Sequence, residues 1–150
     1  HVEIDDAHLA KLIKKSSELP GYEIFRYKDD SGQFYAVDSD DVNEYIRTYM
    51  GKSFSSKDFR TWVASRLAVE LYPYAIEALA ETKKRKFSNT LIRMVADELG
   101  NTPNVCRSYY IHPNIMQKIE EKSLPNKFHE DDGMKQFELT SSEKEVMKHL

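Results

Sequence analysis

The segment SNTLIRMVADELGNTPNVCRSYYIHP, residues 88–113, decides the fold class of this chain. Its apolar residues recur at helical spacing as far as Leu99, and Gly100 then ends the helix. Thr102-Pro103 starts a second, short helix, since proline is well tolerated in a first turn. His112-Pro113 breaks the chain again. The segment therefore predicts helices joined by tight turns.

The same pattern extends outward along the chain. We expect helices that begin at Asp6, Ser39, Ser56 and Ser88, where a small polar side chain caps the first turn, a short one at Thr102, and one after Pro113. A Pro at 73 interrupts the third, and a further helical segment runs over 74–81. Residues 22–28 and 33–37 are rich in aromatic and β-branched side chains, and the turn residues between them predict a hairpin. The predicted fold class is mainly α with a small β-hairpin.

The length of 150 residues indicates one domain or a piece of a larger one. We assign residues 1–122 to a helical domain, and 123–150 to a polar linker followed by a short helix from about Ser142. The opening residues HVEIDD are typical of a strand end, so we expect the chain to begin inside an element.

Composition excludes several classes of protein. A hydrophobic share of 40% with only 5 Gly and 5 Pro excludes a disordered or collagen-like chain. The single cysteine, Cys106, excludes an intramolecular disulfide, and we expect it to pack in the interior. No apolar run approaches the roughly 18 residues of a membrane span, and no signal pattern is present. The five histidines form no metal-binding pair, and no glycine-rich phosphate loop occurs. We expect an intracellular protein with no membrane association, metal or cofactor.

The charge is unevenly distributed along the chain. The formal net charge is −3, yet residues 51–111 carry ten Lys and Arg against six Asp and Glu, a local charge of +4. Because the local field decides whether a polyanion binds, this basic segment keeps nucleic acid among the possible partners. Charges of this size also arise by chance, so composition alone leaves the question open.

Two stretches carry candidate chemistry. In residues 55–62, Lys57, Arg60 and Thr61 share a face of one helix beside the apolar stripe that Phe59 begins, which continues through positions 63, 67 and 71. In residues 98–113, a sharp turn presents Asn101 and a short helix leads to a pair of tyrosines. A tyrosine attacks phosphorus when cations favour its phenolate. Taken separately, these residues also fit a solvated helix end and structural tyrosines.

Together the two stretches resemble the catalytic domain of a type IB DNA topoisomerase, of the poxvirus-like kind found in bacteria. The resemblance rests on KDFRTW at 57–62 and LGNTPNVCRSYYIHP at 99–113, with LPGYEIFRY at 19–27 and VDSDDVNEYIR at 37–47 in support. It covers roughly residues 1–120 and implies that this chain is the C-terminal part of that domain.

The resemblance implies three catalytic residues. Tyr110 matches the nucleophile, Arg60 matches the arginine that contacts the scissile phosphate, and Asn101 stands where poxvirus enzymes have a histidine. An amide can also donate a hydrogen bond to a phosphate oxygen, but it cannot transfer a proton. Lys57 occupies the place of an auxiliary cation. Further DNA-binding positions are expected at six other basic residues, for which an ordinary solvated charge run is the alternative: Lys52, Lys83, Lys84, Arg85, Lys86 and Arg107.

The resemblance also implies the reaction: relaxation of supercoiled double-stranded DNA through a 3′-phosphotyrosyl intermediate, without ATP or metal. The family uses an upstream arginine and a general-acid lysine that match no position of these 150 residues. We therefore expect a truncated chain, weak or inactive alone, from a monomeric cytoplasmic protein of the nucleoid. Its N-terminal domain would clamp the DNA.

Two alternatives remain. A tyrosine recombinase shares the catalytic architecture, but usually has His-x-x-Arg where this chain has Lys57-x-x-Arg60, and a shorter path from the arginine to the tyrosine. A helical DNA- or protein-binding module without activity would leave Arg60, Asn101 and Tyr110 scattered in space.

Overall fold

The computed structural model describes residues 5–81, 86–128 and 138–150. The chain divides into two compact units, residues 1–56 and 57–150. The described regular structure is mainly helical with one two-stranded antiparallel sheet, so the predicted fold class is confirmed. Among the described helices, none has the length and apolar character that a membrane span requires.

The first unit consists of two helices and the hairpin: α1 (Ala7–Ser17), β1 (Arg26–Lys28), β2 (Phe34–Ala36) and α2 (Ser39–Met50). Asp6 caps α1 as predicted, because its carboxylate accepts a hydrogen bond from the amide of Leu9 at 2.9 Å. The strands pair with Tyr27 opposite Tyr35, and the two rings stack. The expected strand end at residues 1–4 lies outside the described part of the chain.

The cap of α2 is Asp38, and the prediction of Ser39 was wrong by one residue. The Asp38 carboxylate accepts from the amides of Asp40 and Asp41 at 2.8 and 3.0 Å. The Asp41 carboxylate in turn accepts from the Asp38 amide at 3.0 Å, which completes a capping box. A carboxylate that accepts two N–H groups at the positive end of a helix is a better cap here than the neighbouring hydroxyl.

The second unit contains α3 (Ser56–Glu70, apart from its first residue), α4 (Tyr72–Glu81), α5 (Phe87–Glu98), α6 (Pro103–Val105), a π-helix (Cys106–Tyr110), α7 (Pro113–Glu121) and α8 (Ser141–Met147). Ser56 begins α3 as predicted, whereas α4 begins two residues earlier than expected and takes Pro73 into its first turn. Ser88 is not the cap of α5, because Lys86 occupies that position.

The core of this unit is one cluster of buried side chains from α3 to α8. The fully buried face of α3 consists of Ala64, Ser65, Ala68 and Val69. The predicted stripe lies beside it: its members at 63, 67 and 71 are partly buried, and Phe59 is 47% exposed. The fully buried positions of α3 thus carry small and medium-sized side chains, and the larger ones lie at its partly buried flank.

The C-terminal part of the chain belongs to this core. Val146 of α8 is fully buried, and the Ser142 hydroxyl donates to Glu70 Oε1 at 2.7 Å. Leu124 is buried and Phe128 packs against the core, so the expectation of a loose linker was wrong for these two residues. The remainder of that linker, residues 129–137, lies outside the described residues, and the domain boundary after 122 stays a prediction.

Candidate active site

Arg60 lies on the first turns of α3, with its side chain exposed. Its Nη1 donates a hydrogen bond to the hydroxyl oxygen of Tyr110 at 3.3 Å, across 50 residues of sequence. The guanidinium carbon also lies 5.6 Å from the centroid of the Tyr110 ring. The fold therefore brings a fixed positive charge to the phenol oxygen.

Asn101 is placed by the turn that ends α5. Gly100 has φ +62°, the left-handed conformation that glycine adopts without strain. The backbone N–H of Asn101 then donates to the carbonyl of Ala96 at 2.9 Å, and the backbone N–H of Gly100 donates to the carbonyl of Asp97 at 3.3 Å. These two bonds form a Schellman motif, which fixes the direction in which the chain leaves the helix.

Tyr110 is the last residue of the π-helix that continues α6. Thr102 caps α6 through a long hydrogen bond, 3.4 Å, from the amide of Val105. The Ile111 amide donates to the carbonyl of Cys106 at 2.9 Å, the five-residue step of a π-helix. Short π-helices are rare in proteins, and those that occur often lie at functional sites. Cys106 is fully buried, as expected, and burial raises the pKa of its thiol.

Ser65 connects the segment that carries Tyr110 to the helix that carries Arg60. Its hydroxyl oxygen accepts a hydrogen bond from the His112 amide at 3.0 Å, and its side chain is fully buried. His112 in turn caps α7, since its Nδ1 accepts from the Asn114 amide at 3.3 Å. The chain after Tyr110 is thus held against α3. The sequence contains no signal for this contact, because a serine inside a helix is commonplace.

The two neighbouring tyrosines have different surroundings. Tyr109 is 62% exposed, whereas Tyr110 is half-buried and packs against the core. Of the two, only Tyr110 forms a hydrogen bond and a cation–π contact with Arg60 in the described part of the chain.

The three predicted catalytic residues line one pocket of about 230 Å³, together with apolar walls formed by Phe59, Val63 and Leu99. The Asn101 amide donates from Nδ2 to the carbonyl of Leu99 at 2.8 Å, and its second N–H has no acceptor among the described residues. Sequence reasoning did not identify the apolar walls as part of the site. They form an apolar wall on one side of the phenol, while the Arg60 side of the pocket is exposed to solvent.

The predicted DNA-binding residues are spread over the chain. Lys57 is exposed, one turn before Arg60 on α3. Lys52 belongs to the first unit, in the turn after α2. Lys86 and Arg107 line a different pocket of the second unit. Lys83, Lys84 and Arg85 lie outside the described residues. All seven assignments stay predictions.

The fold and the pocket define a class of protein, a helical domain that presents a tyrosine hydroxyl beside an arginine and an amide. A tyrosine hydroxyl can form a bond to the phosphorus of a phosphodiester, and the arginine and the amide can donate hydrogen bonds to its oxygens. In the described parts of the chain, no group of three His, Cys, Asp or Glu side chains could hold a metal ion.

Comparison with known proteins shows the family. The family model described as "Eukaryotic DNA topoisomerase I, catalytic core" matches residues 1–136, and the chain belongs to this family. It is also similar to DNA topoisomerase 1B of Acanthamoeba polyphaga mimivirus, with 34% identity over 97 residues. That match covers 60% of this chain and 27% of the relative, so the matched region is about a quarter of the viral protein's length.

Proposed function

We propose that this chain is the C-terminal part of the catalytic domain of a type IB DNA topoisomerase of the poxvirus-like, bacterial branch. The full-length protein relaxes supercoiled double-stranded DNA without ATP or a metal ion. The observation that carries the proposal is the 3.3 Å contact between Arg60 and the Tyr110 hydroxyl, in a pocket that Asn101 shares. Membership of the topoisomerase I family supports it.

In the proposed reaction, Tyr110 Oη releases its proton to solvent water and attacks the phosphorus of a DNA phosphodiester. A bond forms between Oη and phosphorus, and the bond between phosphorus and the 5′-oxygen breaks. The products are a 3′-phosphotyrosyl link and, once the leaving oxygen gains a proton, a free 5′-hydroxyl. Arg60 stabilises negative charge on the phenol oxygen before attack, and its planar fork then binds the oxygens on which charge develops.

Asn101 supplies a neutral hydrogen-bond donor to one non-bridging phosphate oxygen, using the N–H that Leu99 does not occupy. Because an amide does not transfer protons, the leaving 5′-oxygen needs another acid. We assign that role to the family's lysine, which with the upstream arginine and the DNA clamp would come from the N-terminal part of the full-length protein. We expect that protein to act as a monomer on the nucleoid in the cytoplasm.

Strand rotation follows cleavage. The phosphotyrosyl link conserves the energy of the broken phosphodiester, so attack by the 5′-hydroxyl reseals the strand without an external energy source. While the strand is open, the free duplex end rotates and supercoils relax.

The proposal is tested with a suicide substrate, a duplex whose scissile strand ends a few nucleotides beyond the cleavage site. The short released strand dissociates and leaves the protein covalently attached to DNA. We expect the full-length protein to form this adduct, Tyr110→Phe to form none, and the matched variant Tyr109→Phe to retain it. Adduct formation by Tyr110→Phe with loss in Tyr109→Phe would overturn the assignment of the nucleophile.

The rivals are separated by a relaxation assay. The convergence of Arg60, Asn101 and Tyr110 on one pocket argues against an inactive binding module, which needs no such arrangement. A recombinase acts at its own sites, so relaxation of a supercoiled plasmid of arbitrary sequence supports the topoisomerase. We expect the 150-residue chain alone to relax such a plasmid slowly or not at all.

A further inference from the structure

The C-terminal helix α8 is attached to two other helices of the second unit, one at each of its ends. Ser142, in its first turn, is 4% exposed, and the Ser142 hydroxyl donates to Glu70 Oε1 of α3 at 2.7 Å. Just after the end of α8, the carbonyl of His149 accepts from Nδ2 of Asn114 on α7 at 2.7 Å. We call these two hydrogen bonds the α8 contacts. The match to the topoisomerase family ends at residue 136, so it assigns no role to α8.

The contact with α3 is a charge-assisted hydrogen bond inside a small network. Ser142 has one O–H group, which it donates to Glu70, so Thr140 is the donor in the 2.9 Å contact between the hydroxyls of Thr140 and Ser142. Glu70 Oε1 also accepts from Nη1 of Arg66, one turn earlier on α3, at 2.8 Å. A hydrogen bond to a carboxylate is stronger than one between neutral groups, so the beginning of α8 is firmly attached to α3.

The α8 contacts complete a closed path through the segment that follows Tyr110. The hydroxyl of Ser65 on α3 accepts from the amide of His112, two residues after Tyr110. Two residues further on, Asn114 binds the end of α8, and the beginning of α8 binds α3 again. Because the segment is attached to α3 directly through Ser65 and indirectly through α8, it has fewer accessible conformations than a segment held by one bond.

We propose that α8 holds the active site in its reactive arrangement, and that Ser142, Glu70 and Asn114 are positioning residues for the attack by Tyr110. The inference rests on the proposed function. None of the three lines the catalytic pocket, so they act through the segment after Tyr110 and through α3, the helix that carries Arg60. Attack requires the phenol oxygen to be aligned with the phosphorus, and a displacement of about 1 Å lowers the rate strongly.

The first test measures single-turnover cleavage of the suicide substrate at saturating DNA by full-length variants. Ser142→Ala and Asn114→Ala each remove one of the α8 contacts. We expect each to slow cleavage by about two- to tenfold, the rate equivalent of one hydrogen bond, with unchanged DNA affinity in fluorescence anisotropy. Glu70→Gln keeps an acceptor oxygen for the Ser142 hydroxyl, so it should cleave faster than Glu70→Ala, which removes that oxygen.

The control for a loss of stability alone is Ile92→Val. Ile92 is a core residue of α5, and its substitution removes one buried methylene but no hydrogen bond of the path. Urea denaturation measures the stability of each variant, and we expect Ile92→Val to cleave at the normal rate. Equal slowing in Ile92→Val and Ser142→Ala at similar stability would overturn the proposal. If circular dichroism shows that Ser142→Ala is unfolded, Asn114→Ala replaces it, since Asn114 is exposed.

Native-state hydrogen exchange of the His112 amide gives a second measurement that does not depend on the reaction. This amide donates to Ser65 within the path, so both Ser142→Ala and Asn114→Ala should lower its protection more than Ile92→Val does. Lower protection with a normal cleavage rate would show that α8 holds the segment without positioning Tyr110, and would overturn the proposal.

The unaltered full-length protein separates this inference from the proposed function. If it forms the covalent adduct and both Ser142→Ala and Asn114→Ala cleave at its rate, the role of α8 is refuted and the topoisomerase stands. If it forms no adduct, the proposed function is refuted, and lower protection of the His112 amide in the two variants would still support the attachment of this segment by α8.

Discussion

The two units of the chain are stabilised in different ways. Every member of the core cluster lies between Ala64 and Val146, within the second unit. In the described residues of the first unit, Ile46 and Arg26 are buried and the large aromatic side chains are exposed. The candidate active site lies in the unit with the core. Catalytic side chains need positions held to fractions of an ångström, and packed elements provide that precision better than a surface does.

The first unit depends on local hydrogen bonds. The Ser16 hydroxyl accepts from the Arg26 amide at 2.7 Å and donates to the Arg26 carbonyl at 2.9 Å, which attaches β1 to α1. The Arg26 Nη2 also donates to the Ser17 carbonyl at 3.0 Å. In the hairpin turn, hydrogen bonds from Ser31 and Gln33 lower the pKa of the Asp29 carboxyl. These contacts fix single turns and strands, whereas the core of the second unit connects helices that are distant in sequence.

The largest effect on the rate of DNA cleavage is expected at Arg60, in the unit that contains the core. Arg60→Ala removes the positive charge beside the Tyr110 oxygen. Loss of a preorganised hydrogen-bond donor of this kind lowers the rate of the chemical step by about 10²–10³-fold. Arg60→Lys keeps the charge without the planar fork, so we expect a smaller loss. Arg47→Ala, on the exposed side of α2 in the first unit, is expected to change the rate less than either. Single-turnover cleavage of the suicide substrate measures all three; equal losses would contradict a site confined to the second unit.

A smaller effect on the cleavage rate is expected at Ser65, the buried residue whose hydroxyl binds the His112 amide. Ser65→Ala leaves the His112 amide without its acceptor, which costs about 1–3 kcal/mol. Because the same bond holds the chain after Tyr110, cleavage at saturating DNA should also slow, by roughly tenfold for each 1.4 kcal/mol lost from the aligned state. Ser17→Ala is the matched control. Ser17 is exposed in the first unit and donates to a carbonyl of its own helix, so its removal should change stability by less than about 0.5 kcal/mol.

Urea denaturation gives the stability change of both serine variants, and single-turnover kinetics gives the rate. A Ser65→Ala protein that is less stable but cleaves at the normal rate would show that the hydrogen bond is structural and does not position Tyr110.

The sequence predicted the features that depend on nearby residues. The helices, the hairpin and the turn at Gly100 follow from apolar spacing, proline and glycine, and all are present within a few residues of the predicted bounds. The prediction that Arg60 and Tyr110 converge across 50 residues rested on the family resemblance, because no local sequence pattern encodes this contact. The capping error at α2 has a physical cause, since Asp38 and Ser39 are adjacent polar residues that compete for one cap and only the backbone conformation selects between them. At α5 no side chain caps the helix, so the residue at the cap position, Lys86, carries no capping signal in the sequence. The π-helix and the Ser65 contact depend on tertiary packing, which residue spacing does not determine.

The smallest expected effect tests the difference in packing directly, with one isoleucine from each unit. Ile115 of α7 is fully buried inside the core cluster, and Ile46 of α2 is 8% exposed and outside that cluster. Removal of one buried methylene costs about 0.5–1.5 kcal/mol when the surroundings cannot relax. We expect Ile115→Val to fall in that range and Ile46→Val below it, because fewer fixed side chains would border the space that the methylene leaves. Urea denaturation at unchanged m-value measures both, and an equal or larger cost at Ile46 would show that the first unit is packed as firmly as the second. In that case, the location of the active site would have to follow from the chemistry of its residues alone and not from the rigidity of the unit that holds them.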